Sequence, residues 1–187
     1  MTDVTEAISI AKSAAPTLGV SGRALLVAIG GLESHWGDAW QGTNNWGAIT
    51  AGSGWTGATF EHADSRWTPS GVVRYVTNFR SYPTAIDGAK DLAQLLAHQY
   101  SKALSAASDG NWLGASAALY DAGYYTGTRP RAGAIADHYK RLREFLIEQG
   151  ITPAMLGAAM GLEWLFWAGL GYFVLRRKLK GTHGRHY

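Results

Sequence analysis

Apolar residues recur every three or four positions in five segments of the chain, the spacing that places them on one face of an α-helix. In the second segment this stripe runs from Leu25 to Trp36. Ser21 before it is a suitable N-cap, and Gly37 after it can adopt the left-handed backbone of a helix C-terminus. The spacing predicts helices over residues 4–15, 21–36, 82–100, 111–121 and 132–149.

Residues 38–80 have a different character, because Gly, Thr, Asn, Ser and Trp dominate and no helical period survives. Short β-like stretches at residues 58–61 and 72–76 flank the turn-forming run Pro69-Ser70-Gly71. This arrangement is typical of a β-hairpin. The predicted fold class is therefore mainly α, of the α+β type: a helical domain with a small β-hairpin lobe.

The end of the chain is almost entirely apolar from residue 154 to residue 175, with Glu163 as its one charge. As a helix, such a stretch spans roughly 30 Å, about the thickness of a bilayer core. The basic run Arg176–Lys180 follows, which favours a cytoplasmic C-terminus. We therefore predict two units: a folded domain over residues 1–150, and an apolar, membrane-spanning helix with a basic tail over residues 151–187.

The alternative for this apolar segment is a buried helix or a packing arm within an assembly. A central acid costs about 3 kcal/mol on membrane-insertion scales, which counts against a simple span. The pattern Gly157-x-x-x-Gly161 allows close helix pairing. Self-association or contact with virion proteins through this helix is thus a second expectation beside membrane insertion.

Composition excludes several classes of function. The net charge is only +3, and the basic residues are unclustered before Arg176, so no nucleic-acid partner is expected. The chain has no Cys, so thiol chemistry is excluded and the redox compartment is unreadable. Its six His lack metal-ligand spacing, and we expect no metal or cofactor.

Glu33 is the strongest candidate for chemistry. It lies near the end of the second predicted helix, next to the apolar stripe, so it can point into a cleft. A carboxyl at the negative end of a helix dipole tends to retain its proton. Cleavage of a glycosidic bond needs a protonated carboxyl of this kind. The alternative is an ordinary solvated helix glutamate.

Glycosidases use a second group to stabilise the positive transition state or to direct water. Glu61 and Asp64 both lie in the predicted hairpin lobe, across from the helical side. We prefer Glu61, on a strand that could overhang the cleft. The alternative for either acid is a surface charge.

Aromatic and amide side chains in the loops are candidates for sugar binding, because sugars present flat apolar faces rimmed with hydroxyls. Core packing is the alternative for each aromatic residue, and a turn is the alternative for the asparagines. The aromatic residues in Gly-rich loops are the stronger candidates for sugar binding. The candidates are Trp36, Trp40, Trp46, Trp55, Trp67, Tyr124, Tyr125, Asn44 and Asn45.

Four motifs of the chain carry a family resemblance when they are taken together. They are Glu33-Ser34-His35-Trp36-Gly37, Asn44-Asn45-Trp46-Gly47-Ala48-Ile49, Phe79-Arg80-Ser81-Tyr82 and Gly123-Tyr124-Tyr125-Thr126. In their order and spacing they resemble the glucosaminidase-type peptidoglycan hydrolases of the lysozyme-like superfamily, which are close to the lytic transglycosylases. The resemblance covers about residues 5–148. The chain departs from the family pattern at Thr50, where Lys is common, and at Gly127, where Asp is common.

The resemblance implies a lysozyme-like fold and activity on the glycan strands of bacterial cell wall without a metal. It implies Glu33 as catalytic acid, Glu61 as a plausible partner and Tyr124 as an active-site tyrosine. It places Asn45 and Trp46 in the cleft loop. The predicted substrate-binding residues are Trp36, Asn45, Trp46 and Tyr125.

Where the enzyme acts is a separate expectation. The N-terminus has neither the basic nor the apolar region of a secretory signal, whereas peptidoglycan lies outside the cytoplasmic membrane. A phage particle could carry the protein and insert its apolar segment at infection, with the domain in the periplasm or wall space. The alternatives are a cellular wall remodeller anchored in the bacterial inner membrane, an endolysin acting at lysis, and a virion component that grips glycan without cleaving it.

Overall fold

The computed structural model describes residues 3–38, 42–125 and 130–157. Within these residues the chain forms six α-helices and one two-stranded sheet. In chain order these elements are α1 (Val4–Ala14), α2 (Val20–Ser34), β1 (Thr59–Thr68), β2 (Gly71–Arg80), α3 (Ala85–His98), α4 (Ser101–Ser108), α5 (Trp112–Asp121) and α6 (Arg131–Glu148). The predicted mainly helical fold with a hairpin is confirmed for this part of the chain.

Side chains at the helix starts explain several of the boundaries. Asp3 accepts a hydrogen bond from the Glu6 amide at 2.8 Å and caps α1. Asn111 accepts from the Gly114 amide at 2.8 Å and caps α5. These contacts satisfy amides that have no partner within the helix. The prediction of Ser21 as the cap of α2 is wrong, because α2 begins at Val20 after Gly19, which supplies no side-chain cap.

The predicted helix over residues 82–100 corresponds to α3 alone. α3 ends at His98, and the backbone of Tyr100 leaves the helical region before α4 begins at Ser101. α4 was not predicted. Its buried positions, Ala103 and Ala107, are small residues that give a weak apolar stripe.

Helix α2 runs through the core, where its residues 24–29 are at most 1% exposed. α1, α3, α4 and α6 all contact it. At Gly31 the helix has no side chain, and a Cβ there would lie 2.1 Å from the Phe145 ring of α6. The close approach of α2 and α6 therefore depends on glycine at this position.

The end of α2 is set by three successive residues with positive φ. His35 is the left-handed cap, with φ 46°, and Trp36 and Gly37 follow with φ 56° and 90°. The cap was predicted at Gly37, two residues later. The chain reverses here, so Glu33 in the last turn of α2 stands beside the loop that follows.

The predicted hairpin is confirmed and is longer than the two stretches that indicated it. β1 and β2 pair antiparallel from Thr59↔Arg80 to Thr68↔Gly71. Most of β2 is exposed, but Phe79 near its end is only 3% exposed. The hairpin is therefore anchored to the helical domain at its base.

The helical domain continues past residue 150, where the predicted boundary lay. Ile151 and Leu156 are both 0% exposed and belong to the core cluster. The Arg23 guanidinium of α2 donates a hydrogen bond to the Leu156 carbonyl at 2.9 Å. Burial and this bond join residues 151–156 to the domain.

The predicted apolar helix over residues 154–175 lies outside the described residues from 158 onward, and residues 154–157 form turns. In the described part of the chain, no helix has the length and apolar character needed to span a membrane.

Candidate active site

A cleft of about 600 Å³ lies between the hairpin and the helices. Its walls come from the end of α2, the loop of residues 47–52, the hairpin, the α3–α4 junction and the segment after α5. Glu33 lines this cleft from the last turn of α2. The sequence prediction that its carboxyl faces a cleft is thus confirmed.

The Glu33 carboxyl is only partly exposed, and burial raises its pKa above the ordinary value of 4.5. The positive charge of Arg141 opposes this shift and lowers the pKa of Glu33. Among residues 3–38, 42–125 and 130–157 the carboxyl has no hydrogen-bond or ion-pair partner. Since nothing there stabilises the carboxylate by direct contact, desolvation prevails and favours the protonated form.

The loop facing Glu33 is fixed by polar contacts from within the loop and from α2. The Asn45 amide donates to the Ile49 carbonyl at 3.0 Å, and its oxygen accepts from the Ile49 amide at 2.9 Å. The Ser34 hydroxyl, next to Glu33, donates to the Trp46 carbonyl at 2.7 Å. These bonds hold Gly47 and its neighbours in the cleft wall.

Asn45 and Trp46 were predicted to bind substrate, and neither of them lines the cleft. Both are 0% exposed. Trp46 packs over Gly30 of α2, where a Cβ would lie 2.8 Å from the indole. Because Gly30 leaves a slot for the ring, this tryptophan enters the core although its loop is rich in glycine.

Trp36, also predicted to bind substrate, packs in the core and does not line the cleft. It is 8% exposed, and its indole nitrogen donates to the Val27 carbonyl at 2.9 Å. Its ring meets Phe145 edge-on at 5.6 Å. This contact ties the segment after α2 to α6.

Tyr124 lies beside Glu33 and lines the cleft, as the sequence predicted. Its hydroxyl donates to the Gly47 carbonyl at 2.9 Å, and its ring meets Tyr100 edge-on at 5.2 Å. Burial, and then the negative charge of Glu33, raise the pKa of Tyr124 well above its ordinary value of 10.0. The group is therefore a neutral phenol that ties the segment after α5 to the loop at Gly47.

Comparison with known proteins gives one informative set of matches. No protein-family model and no curated protein matches the chain. A crystal structure of a peptidoglycan hydrolase mutant from Sphingomonas sp. A1 is 30% identical, with a TM-score of 0.56, and the match covers 75% of this chain and 94% of that one.

The chain belongs to the family of this peptidoglycan hydrolase. Two further structures agree in fold alone. The catalytic domain of the autolysin Auto from Listeria monocytogenes has a TM-score of 0.55 at 19% identity, covering 76% of this chain and 80% of that one. A C-terminally truncated glycoside hydrolase domain of Salmonella typhimurium FlgJ has a TM-score of 0.50 at 22% identity, covering 76% of this chain and 91% of that one.

The two candidate acids of the hairpin have different pairing partners on β2. Glu61 is exposed, pairs with Asn78 and does not line the cleft. Asp64 pairs with Tyr75, which does line the cleft. Ser65, which shares the face of Glu61 because successive residues of a strand alternate between faces, also lines the cleft. The register therefore does not decide between Glu61 and Asp64, and the catalytic role of either stays a prediction.

A second group of cleft residues was not predicted from the sequence. Gln99 and Tyr100 reach the cleft from the α3–α4 junction, and Tyr75 reaches it from β2. The junction was missed because the predicted helix ended at residue 100 and no α4 was predicted after it. The paired strands indicated a lobe but gave no basis for choosing Tyr75.

The motif Phe79-Arg80-Ser81-Tyr82 supports the hairpin base. Arg80 lines the cleft and forms an ion pair with Asp91 at 2.6 Å, and the Tyr82 hydroxyl donates to the same carboxylate. Trp55 packs against both, 4.8 Å from the Arg80 guanidinium and edge-on to Tyr82 at 5.4 Å. Trp55 is thus held in this cluster and does not line the cleft as a sugar platform.

Proposed function

We propose that this protein is a glycosidase that cleaves the glycan strands of peptidoglycan, with Glu33 as the proton donor. The observation that carries the proposal is a partly buried carboxyl of raised pKa, without a described hydrogen-bond partner, in a cleft of about 600 Å³. Membership of a peptidoglycan hydrolase family supports the choice of substrate.

In the proposed reaction, protonated Glu33 donates its proton to the glycosidic oxygen as the bond from that oxygen to the anomeric carbon breaks. The leaving sugar departs as an alcohol, and positive charge develops on the remaining ring. A hairpin carboxylate or the N-acetyl group of the substrate then stabilises this charge. Attack by water gives hydrolysis, whereas attack by a hydroxyl of the same sugar gives transglycosylation.

Tyr124 has a supporting part in this proposal. Its phenol stays protonated because burial and the charge of Glu33 both oppose ionisation. Through its bond to the Gly47 carbonyl it fixes the loop against which the glycan would lie. The resemblance to known hydrolases also implies a direct role for this residue at the active site.

The test compares three matched variants on purified peptidoglycan, with soluble muropeptides measured by mass spectrometry. Glu33→Gln should keep the fold and slow release by roughly 100-fold or more, the typical contribution of a general acid. Glu61→Gln and Asp64→Asn identify whether either hairpin acid contributes. Wild-type release by Glu33→Gln would exclude the assignment, and binding without release by the wild type would favour a glycan-gripping role.

The same spectra decide the chemistry that the fold leaves open. A reducing end on the released fragment indicates hydrolysis, and an anhydro-sugar indicates transglycosylation. The identity of the terminal sugar shows which of the two alternating glycan bonds is cut, and so whether the enzyme is a glucosaminidase or a muramidase.

We further propose that the protein is carried in a phage virion and opens the wall locally at entry. The support is the apolar sequence of residues 154–175 followed by the basic run at residues 176–180, which would anchor the domain beside its substrate. Quantitative mass spectrometry of purified virions tests this. Detection in stoichiometric amounts is expected, and absence from virions would favour a wall remodeller of the bacterial inner membrane.

A further inference from the structure

A buried polar cluster of Ser116, Tyr125 and His138 lies behind the cleft wall. Tyr125 lines the cleft, and its hydroxyl donates to the Ser116 carbonyl at 3.0 Å. The same hydroxyl is 2.8 Å from the Ser116 Oγ. The cluster thus reaches the proposed substrate site through the Tyr125 ring alone, since Ser116 and His138 do not line the cleft.

His138 packs against the other members of the cluster. Its ring stacks on the Tyr125 ring with centroids 4.0 Å apart and planes at 22°. Its Nδ1 lies 2.8 Å from the Ser116 Oγ, and the side chain is only 4% exposed. Tyr125 is therefore held twice, at its hydroxyl by Ser116 and across its face by His138.

The hydrogen bonds of the cluster have one consistent assignment. Burial, and then the charge of Arg141, lower the pKa of His138 to about 3, so the imidazole is neutral near pH 7. With its proton on Nδ1, His138 donates to the Ser116 Oγ. The Ser116 hydroxyl then donates to the Tyr125 hydroxyl, which itself donates to the Ser116 carbonyl. Every hydrogen in the cluster then has an acceptor.

One atom is left without a partner: His138 Nε2 is buried and forms no hydrogen bond to any described residue. A buried polar atom of this kind costs stability, and an apolar side chain would fill the space without that cost. The stack on the Tyr125 ring is the contact by which the imidazole reaches a residue of the cleft wall.

We propose that Ser116 and His138 are positioning residues that fix the Tyr125 ring as a preset wall of the glycan-binding cleft. The proposal rests on the proposed glycosidase function. Immobilising a side chain before binding removes that ordering cost from the association step, which is about 0.5–1.5 kcal/mol for each side chain. Release of the ring should therefore weaken glycan binding by roughly 2- to 10-fold.

The experiment is a double-mutant cycle. Ser116→Ala, Tyr125→Phe and the double variant are assayed on glycan strands freed of peptide, with KM and kcat determined separately. Each single variant should raise KM by roughly 2- to 10-fold and leave kcat unchanged, because the lost interaction concerns binding and not the chemical step. The double variant should match the single ones, since both changes cut the same link.

Leu142→Ala is the matched structural control. Leu142 is 0% exposed and lies on α6, one turn after His138, but it does not line the cleft. This variant should lose stability and keep the wild-type KM. An equal rise in KM for Leu142→Ala, an unchanged KM for Ser116→Ala and Tyr125→Phe, or additive effects in the double variant would each overturn the proposal.

The dissociation constant of the same glycan, measured by calorimetry with Glu33→Gln in every variant, separates the two proposals. If the wild type releases no fragment, the glycosidase function fails, and the calorimetric cycle still decides the positioning role. If the protein with Glu33→Gln alone does not bind the glycan, the positioning role is overturned as well.

Discussion

The raised pKa of Glu33 predicts that Glu33→Gln stabilises the protein at neutral pH. Glutamine has nearly the same shape as glutamate and cannot ionise. In the folded protein the Glu33 carboxyl has a pKa above the value of 4.5 that applies when the chain is unfolded, because burial disfavours its charge. Ionisation of Glu33 therefore lowers the stability of the wild type and not that of the variant.

The sign and the pH window follow from this direction. The contribution of Glu33 to stability is complete below pH 4.5 and is lost as pH rises through its folded-state pKa. Each unit of upward shift corresponds to about 1.4 kcal/mol in the free energy of unfolding. For a chain of this size, that is roughly 3–6 °C in Tm.

The assay is urea-induced unfolding of wild type and Glu33→Gln across roughly pH 3.5 to 8, the range that spans the titration of a raised carboxyl. The difference in unfolding free energy should be constant at the acidic end, rise in favour of the variant as pH increases, and then level off. Glu61→Gln makes the same chemical change at an exposed site and should alter stability by less than about 0.5 kcal/mol. A Glu33→Gln difference that is independent of pH, or that falls as pH rises, would refute the reasoning.

Three further predictions concern the surroundings of Glu33. Arg141→Gln should raise the pKa of Glu33 and move the alkaline fall of kcat/KM to higher pH. Arg141→Lys keeps the positive charge and should leave the pH of that fall unchanged. If Arg141→Gln also left it unchanged, the electrostatic account would be contradicted. Gly47→Ala should cost about 1–3 kcal/mol and slow glycan release, because its Cβ would lie 2.7 Å from Leu92 and 3.1 Å from the Tyr124 hydroxyl. Gly54→Ala is its control by thermal unfolding and rate assay, because a Cβ there meets nothing within 4 Å and the residue does not line the cleft. Equal effects of the two substitutions would contradict the account. Tyr124→Phe should lower the free energy of unfolding by about 1–3 kcal/mol, because the Gly47 carbonyl loses its donor, and unchanged urea unfolding would exclude that role.

The sequence predicted most of the elements because burial follows a regular period in them. The stripes of α1, α5 and α6 located these helices to within one or two residues. The run Pro69-Ser70-Gly71 located the hairpin turn. Where the apolar period is carried by small residues, as in α4, the same argument failed.

The candidate site was predictable at Glu33 and Tyr124 but not in its walls. Composition places Trp46 in a Gly-rich loop, yet only the packed structure shows that Gly30 opens a slot for its ring. The face on which Glu61 lies depends on its pairing with Asn78, and a shift of one residue in register would reverse it. These features depend on contacts between distant segments, which no local pattern specifies.

The central claim is that the Glu33 carboxyl holds a proton at the pH of catalysis and transfers it to the glycan. The most direct test follows the side-chain carboxyl of Glu33 by ¹³C NMR as pH is varied, beside the pH dependence of kcat/KM on the same preparation. The account predicts that Glu33 titrates above pH 4.5 and that its midpoint coincides with the alkaline limb of the rate. A midpoint at or below pH 4.5, or a limb unrelated to the Glu33 midpoint, would contradict it.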